Sequence, residues 1–568
     1  MKFYTSIYNH LNFKEKIKFC WVVFFIVCLL FFELLSLSLL LPIIQIFFTA
    51  KKISILHEDF FFNNLKFEKQ ISLLLIFLIS IYIIKNTLNS FLIYLKKKFL
   101  ADIQINFTSR VFSYYLNQPY DFFLRKNKPE IIRNLGILPE YITVLENFIN
   151  IFIEIFILIL ILGVIYYNSL NIGLFITFFS IFFIYIILRF FKNRLTRYGE
   201  LVNEYNEKVV NNYLDTLGSI KDIILQKKES FFIKDFSKNI SVLADVNVKN
   251  GFLLELPRLI VEVLLVIGIS ILIFLLINSS QDISEITVIL TFTVALILRA
   301  IPSVTRIIYQ SSGLYFKIDI VKRVHNLLLS FNITKNDYTI NKIEFQKIKL
   351  KNINFSYSSN VENVVFKDLN YEIKKNECVG VVGSSGSGKS TLMDILCCML
   401  SVKNGGVYLD ETKIDEKNIK SWQSQISYIS QKNFLLNSTI AKNIAFAEKD
   451  EEIDKEKLLE AIEFSKLNKL VDSKNKGVNF NIGEDGKNIS GGQRQRIILA
   501  RAIYRKADII VFDEATSALD SETEKGIFKT IKDNFYGKKT LLISSHKHEL
   551  LHFCDKVIDI DLLHNQIL

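Results

Sequence analysis

Proline is scarce and unevenly placed. The six prolines in 568 residues lie at 42, 119, 129, 139, 257 and 302, and the rest of the chain has none. Pro42, Pro257 and Pro302 sit inside or at the edges of apolar runs, where they are expected to kink helices. Cysteine is equally sparse: the six, at 20, 28, 378, 397, 398 and 554, show no metal-ligand spacing. They read as reduced, buried small hydrophobes rather than a zinc site or a disulfide framework. No cleavable signal is evident, because Met1 to Phe19 is mixed and the first apolar run is too long for a signal core. Acidic residues trail basic ones, 57 against 69, a net charge of +12 that fits either nucleic acid or an anionic membrane surface. Hydrophobic residues are in plentiful supply. They make up half the chain, with 49 Phe, which excludes an ordinary soluble enzyme and places part of the chain in lipid. The length requires two or more domains.

Six apolar stretches, about 19–48, 71–95, 148–167, 172–191, 253–278 and 286–309, read as membrane helices. The segments 96–147 and 192–252 hold many Lys and Arg, among them Lys96, Lys97, Lys98, Arg125, Lys192, Arg194 and Lys221, whereas links 168–171 and 279–285 hold none. By the positive-inside rule both long segments, the N-terminus and everything after 310 are cytosolic. The excess positive charge is then largely an orientation signal, and nucleic acid is not needed. Ile53 to Phe67 places Leu56, Phe60, Phe61 and Leu65 at helical spacing, suiting a short helix in the outer membrane surface. Residues 310–345 read as a polar linker.

Beyond it the pattern changes. Lys351 to Tyr357 alternates as a strand. Val379-Gly380-Val381-Val382 runs into Gly383-Ser384-Ser385-Gly386-Ser387-Gly388-Lys389-Ser390-Thr391 and an apolar helix. Strand, glycine loop and helix are the context in which backbone N–H groups wrap phosphates, Lys389 adds a charge and Ser390 offers a hydroxyl to Mg²⁺. Ser490-Gly491-Gly492-Gln493 opens a helical segment, and the apolar run Ile509-Ile510-Val511-Phe512 delivers Asp513 and Glu514 to a strand tip.

In this order, and followed by Ser517-Ala518-Leu519-Asp520, these strings resemble the phosphate loop, signature, Walker B and D-loop of ATP-binding cassette (ABC) ATPases. The resemblance implies further roles: Tyr357 stacking on adenine, Gln431 reaching Mg²⁺ and the attacking water, and His546 contacting the γ-phosphate. Most relatives carry Pro before that glutamine, where this chain has Ser430. Gly483-Glu484-Asp485-Gly486 resembles the X-loop of exporters, while Pro119 to Phe123 and Leu214 to Leu225 fall where exporters carry coupling helices. Asp513 is expected to hold Mg²⁺ and Glu514 to deprotonate water. The implied architecture is multidomain: an all-α six-helix transmembrane domain of exporter type over 1–330, a linker over 331–345, and an α/β P-loop nucleotide-binding domain over 346–568. One ATPase per chain implies a C2 homodimer with composite sites.

Charged residues within the membrane stretches point to the cargo. Arg299 lies roughly 20 Å along the sixth stretch and Arg306 two turns on. Arg258, Lys85 and Glu33 join them, and such groups normally face a cavity or a partner. Doubled by a dimer axis, they read as a cationic cavity for a diphosphate or lipid phosphate. Glu33 with Pro42, the external segment, Pro257-Arg258 and Arg299-x-x-Pro302-x-x-x-Arg306 resemble PglK-type lipid-linked oligosaccharide flippases of bacterial N-glycosylation. That implies ATP-driven flipping of a polyprenyl-diphosphate glycan across the bacterial inner membrane. An MsbA-type lipid A flippase or a multidrug exporter shares the architecture and every ATPase motif.

Overall fold

A computed structural model describes residues 12–49, 67–277, 283–329, 341–357, 364–430, 434–474, 476–514, 521–544, 552 and 554–565. The expected outer helix falls outside them except for Phe67. The chain divides into two compact units, Met1–Gln118 with Lys126–Ile333, and Pro119–Arg125 with Thr334–Leu568.

The first unit is built from helices α1 (Phe13–Ser38), α2 (Leu40–Thr49), α3 (Phe67–Leu116), α5 (Lys128–Gly136), α6 (Leu138–Asn168), α7 (Leu170–Gly218), α8 (Ile220–Gln226), α9 (Glu229–Ile277), α10 (Ile283–Phe316) and α11 (Ile318–Leu329); α4 (Tyr120–Arg125) groups with the second unit. Among the described residues, five helical spans are long and apolar enough to cross a membrane: Phe13–Ile44, Glu68–Leu116, Pro129–Asn168, Leu170–Gly218 and Leu290–Phe316. The expected span 253–278 falls in the second half of α9. Trp21, Phe24, Phe31, Phe77, Phe178 and Phe190 are exposed, an outward apolar surface that suits lipid.

Several boundaries differ from the sequence reading. The expected first helix, 19–48, divides at Leu39, three residues before Pro42, which has no N–H to offer the Ser38 carbonyl. The expected helix 71–95 extends as α3 to Leu116, and 172–191 extends as α7 to Gly218. Hydropathy reports where a helix meets lipid, not where it ends. In the polar continuation of α3, Phe99, Ile103, Phe107 and Val111 are buried at four-residue spacing, so protein packing sustains the helix where lipid no longer does. The start of the expected linker is also helical. Ile320, Val324 and Leu328 of α11 are buried one turn apart. Of the cysteines, Cys378 and Cys397 are buried as expected, but Cys20 is exposed.

Among the described residues the second unit holds two sheets. Strands β1 (Lys347–Ser356), β2 (Val364–Lys374), β4 (Asn404–Leu409) and β5 (Thr412–Lys413) form an antiparallel sheet in the order β2-β1-β4-β5. In β1, Ile348 and Leu350 are buried on one phase of the alternation and Ile353 and Phe355 on the other. A register shift between Leu350 and Ile353, with Asn352 at φ 50°, keeps both pairs facing the core. Strands β3 (Cys378–Val382), β6 (Ile426–Ile429), β7 (Ile509–Asp513), β8 (Thr540–Ser544) and β9 (Lys556–Asp559) form a parallel sheet in the order β6-β7-β8-β3-β9. Every residue of β7 and β8 is buried, as expected of parallel strands covered on both faces. The β3, β7 and β8 strands are neighbours running the same way, so their carboxyl ends lie together. That edge is where an open α/β sheet binds ligands.

Candidate functional site

The loop after β3 is built around left-handed glycines. Gly383, Gly386 and Gly388 have φ of 152°, 83° and 107°. Gly388 caps helix Lys389–Leu396, and a Cβ there would meet Val365 Cγ1 at 2.9 Å, so only glycine fits without displacing β2. The Lys389 ammonium is buried within the loop, donating to the carbonyls of Gly383 and Ser384 at 3.0 and 3.1 Å. Ser384 is held from the far end of the chain, its N–H and hydroxyl both donating to the Asp561 carboxylate. Ser387 Oγ is buried with no hydrogen-bond partner among the described residues. Gly386 and Ser385 complete the turn. A glycine-lined cradle, a buried ammonium and an orphaned hydroxyl together fit a phosphate chain.

The Asp513 carboxylate collects three hydroxyls at the tip of β7. Its Oδ1 accepts from Ser390 at 3.1 Å and from Ser544 at 2.8 Å, and its Oδ2 accepts from Tyr428 at 3.1 Å. Ser390 and Asp513 thus present two hard oxygen donors side by side, the chemistry Mg²⁺ requires. Burial pushes the Tyr428 phenol well up, with the Asp513 and Asp394 charges adding to it. Burial likewise raises the Asp394 carboxyl to about 6, opposed by a hydrogen bond from Tyr428.

Glu514 follows at φ 50°, a left-handed conformation that costs about 1–3 kcal/mol and persists only where neighbours enforce it. Here its N–H is held by Ser544, 3.1 Å from the hydroxyl. Its carboxylate stands 4.0 Å from Lys389 Nζ. The strained turn brings the second acid to the lysine of the phosphate loop, a separation the sequence leaves open.

Tyr357 follows β1 and is half-exposed. Its hydroxyl lies 2.9 Å from Thr391 Oγ1, and its ring meets Phe355 edge-on. Ser490 caps helix Gly491–Tyr504 through a reciprocal box. Gln493 N–H donates to Ser490 Oγ and Ser490 N–H to Gln493 Oε1, an arrangement worth about 1 kcal/mol. Gly491 and Gly492 follow in the first turn, and an added Cβ at Gly491 would meet nothing within 4 Å. Gln431, Asp520 and His546 lie outside the described residues.

A family model described as "ABC transporter" matches residues 366–517. Residues 366–517 are an ABC transporter domain. Curated relatives include the ATP-dependent lipid A-core flippase of Shewanella frigidimarina, 36% identical over 225 residues, 39% of this chain and 37% of that protein. Another, of the same description, is from Ralstonia nicotianae, 35% identical over 221 residues with the same two coverages. The match thus spans little more than a third of these relatives' length. A solved bacterial Atm1-family ABC exporter with ATP bound superposes with a TM-score of 0.79 at 17% identity, covering 96% of both chains. The chain has the ABC exporter fold, a helical membrane-type region followed by the ABC domain.

The first unit arranges its charges differently from the cationic cavity expected. Glu33 is buried on α1 and takes two partners, Lys85 of α3 at 3.1 Å and Arg299 of α10 at 2.5 Å. Arg306 of α10 donates to Glu154 of α6 at 2.8 Å. Arg258 is exposed and pairs with Glu262 one turn along α9. Every expected cation therefore already has a carboxylate in its own chain. The role of Glu154 is invisible in the sequence, because partners 152 residues apart leave no local trace.

Proposed function

We propose that this chain is one half of a homodimeric, ATP-driven exporter that flips a phosphate-bearing glycolipid across a bacterial inner membrane. ATP lies along the loop from Gly383 to Thr391, with Tyr357 against the adenine. Ser490, Gly491, Gly492, Gln493 and Asp520 of one subunit close on ATP held by the other. Ser390, Asp513 and Gln431 hold Mg²⁺, which, when bound, neutralises charge on the phosphates. Glu514 takes a proton from water aligned with the γ-phosphate, and His546 contacts that group. The observation that carries the ATPase reading is the convergence of Lys389, Ser390, Asp513 and Glu514 at one sheet edge. Pro119–Arg125, which groups with the second unit, supports a coupling role for α4. The N-terminus and ABC domain are cytosolic.

The cargo reading rests on the Glu33–Lys85–Arg299 cluster, where two cations share one carboxylate and leave one net positive charge. Polyprenyl-diphosphate oligosaccharide fits that charge and the arginine pattern. Lipid A-core is favoured instead by the names of the relatives. Reconstitution in liposomes separates the two. ATP-dependent inward-to-outward movement is measured for a fluorescent undecaprenyl-diphosphate disaccharide and for lipid A, and the cargo is the one that moves. Movement of neither, with intact ATP hydrolysis, overturns the glycolipid reading.

A further inference from the structure

The three charges of the intramembrane cluster are not equally committed. The Lys85 and Glu33 side chains are only 9% and 3% exposed, whereas that of Arg299 is 29% exposed. Lys85 also sits over the Tyr82 ring at 4.2 Å, a second contact that holds it in place. The Arg299 nitrogen approaches Glu33 Oε1 to 2.5 Å, yet that oxygen has no aligned hydrogen-bond donor among the described residues. The pair is therefore held by charge at short range without the fork geometry that makes arginine–carboxylate bonds hard to exchange. Arg299 combines an accessible guanidinium with a poorly directed internal partner.

We propose that Glu33 is a displaceable counter-ion. It occupies Arg299 in the absence of cargo and yields it to the phosphate of an entering lipid. Removing a partner from a buried carboxylate is ordinarily prohibitive, because an uncompensated charge remains. Here Lys85 stays on Glu33 and supplies that compensation, so Arg299 can turn to an anion without orphaning the glutamate. Glu33 thereby sets how much positive charge the cluster offers and screens against lipids whose head groups bind guanidinium no better than a carboxylate does. It is a positioning residue acting through Arg299. The inference rests on the anionic-lipid reading above and adds the regulation of that site.

The test is equilibrium binding of farnesyl diphosphate and of uncharged farnesol to the full-length protein in phosphatidylcholine nanodiscs. Wild type prefers the diphosphate. Glu33→Gln binds it roughly tenfold tighter, the scale of one charge-assisted contact released from competition, with farnesol unchanged. A gain of affinity is not what a damaged fold produces. Glu33→Gln also leaves Lys85 without its carboxylate, so Glu33→Gln with Lys85→Met serves as a second variant. It keeps the cluster's net charge and still leaves Arg299 unclaimed, and it too binds the diphosphate more tightly than wild type. Adding Arg299→Ala to that pair abolishes the gain. Wild-type affinity in both Glu33 variants, with the diphosphate preference intact, overturns the counter-ion role alone. Absence of any diphosphate preference in wild type overturns the anionic-cargo reading beneath it.

Discussion

Ser390 Oγ donates to Asp513 Oδ1 across 3.1 Å, joining residues 123 positions apart in the chain. One opens the helix after the phosphate loop, and the other closes β7. Their meeting depends on the parallel order of β7, β8 and β3, which aligns the carboxyl ends of all three strands. Ser544, at the end of β8, completes the link by donating to the same Asp513 oxygen. The sheet thus holds both oxygen donors side by side, the kind of fixed arrangement that electrostatic catalysis of phosphoryl transfer requires.

Replacing Glu514 with Gln keeps the shape of the strained turn and removes the base. ATP hydrolysis by the purified protein is expected to fall by about 10²–10⁴-fold, while ATP binding persists and the dimer stays closed on nucleotide. Phosphate release near the wild-type rate would sink the role assigned to Glu514.

The proposed composite site gives a prediction for mixed dimers. Lys389→Ala on one subunit with Gly491→Asp on the other spoils one site twice and leaves the second whole, so about half the activity survives. Placing both changes on one subunit, beside a wild-type partner, spoils each site once and leaves almost none. A Cβ at Gly491 meets nothing within 4 Å, so the change leaves the packing of its own subunit undisturbed. The reverse ranking of the two arrangements would mean that each site is built within one chain.

Asp394 gives a pH dependence whose sign can be worked out. Burial, reinforced by the nearby Asp513 charge, raises its carboxyl to about 6 in the folded protein, above the ordinary carboxylate value. The folded state therefore holds this proton more tightly than the unfolded chain. Its contribution is fully present at low pH and is lost as pH rises from about 4 through about 6. Without nucleotide or Mg²⁺, Asp394→Asn should raise the melting temperature at pH 7.5 and flatten its decline between pH 4 and 6. A melting temperature equal to wild type at pH 7.5 would contradict this.

The nucleotide machinery was legible because its parts are short strings in which a few neighbouring residues perform one task. Gly383 to Thr391 wraps a loop, and Ile509 to Glu514 makes a strand and its tip. Not legible are the residues that hold those strings in place: Asp561 on Ser384, Ser544 and Tyr428 on Asp513, each contributed by a distant segment. The membrane unit shows the same limit. Hydropathy located the apolar stretches but not the ends of α3 and α7, whose polar continuations are sustained by buried stripes such as Phe99, Ile103 and Phe107. It identified Arg299, Arg306 and Lys85 as costly charges, but could not show that Glu33 and Glu154 pair with them.

That pairing leaves two guanidinium groups accessible. Arg306 holds Glu154 with one aligned bond of 2.8 Å while its own side chain is 59% exposed, and Arg299 is the more exposed cation on Glu33. Both guanidinium groups thus combine a carboxylate partner with an accessible edge, and both lie on α10 seven residues apart, two turns along one face. A diphosphate spanning them would gain two charge-assisted contacts, each worth about 1.5–3 kcal/mol. Arg299→Ala should therefore weaken stimulation of ATP hydrolysis by a lipid diphosphate at least about tenfold in half-maximal concentration. Arg299→Ala with Arg306→Ala should abolish that stimulation and stop flipping in liposomes. Lysine at either position should restore only part of the response, because a point charge cannot reproduce the planar fork. Undiminished flipping by the double alanine variant would remove the physical reason for assigning this chain an anionic lipid cargo.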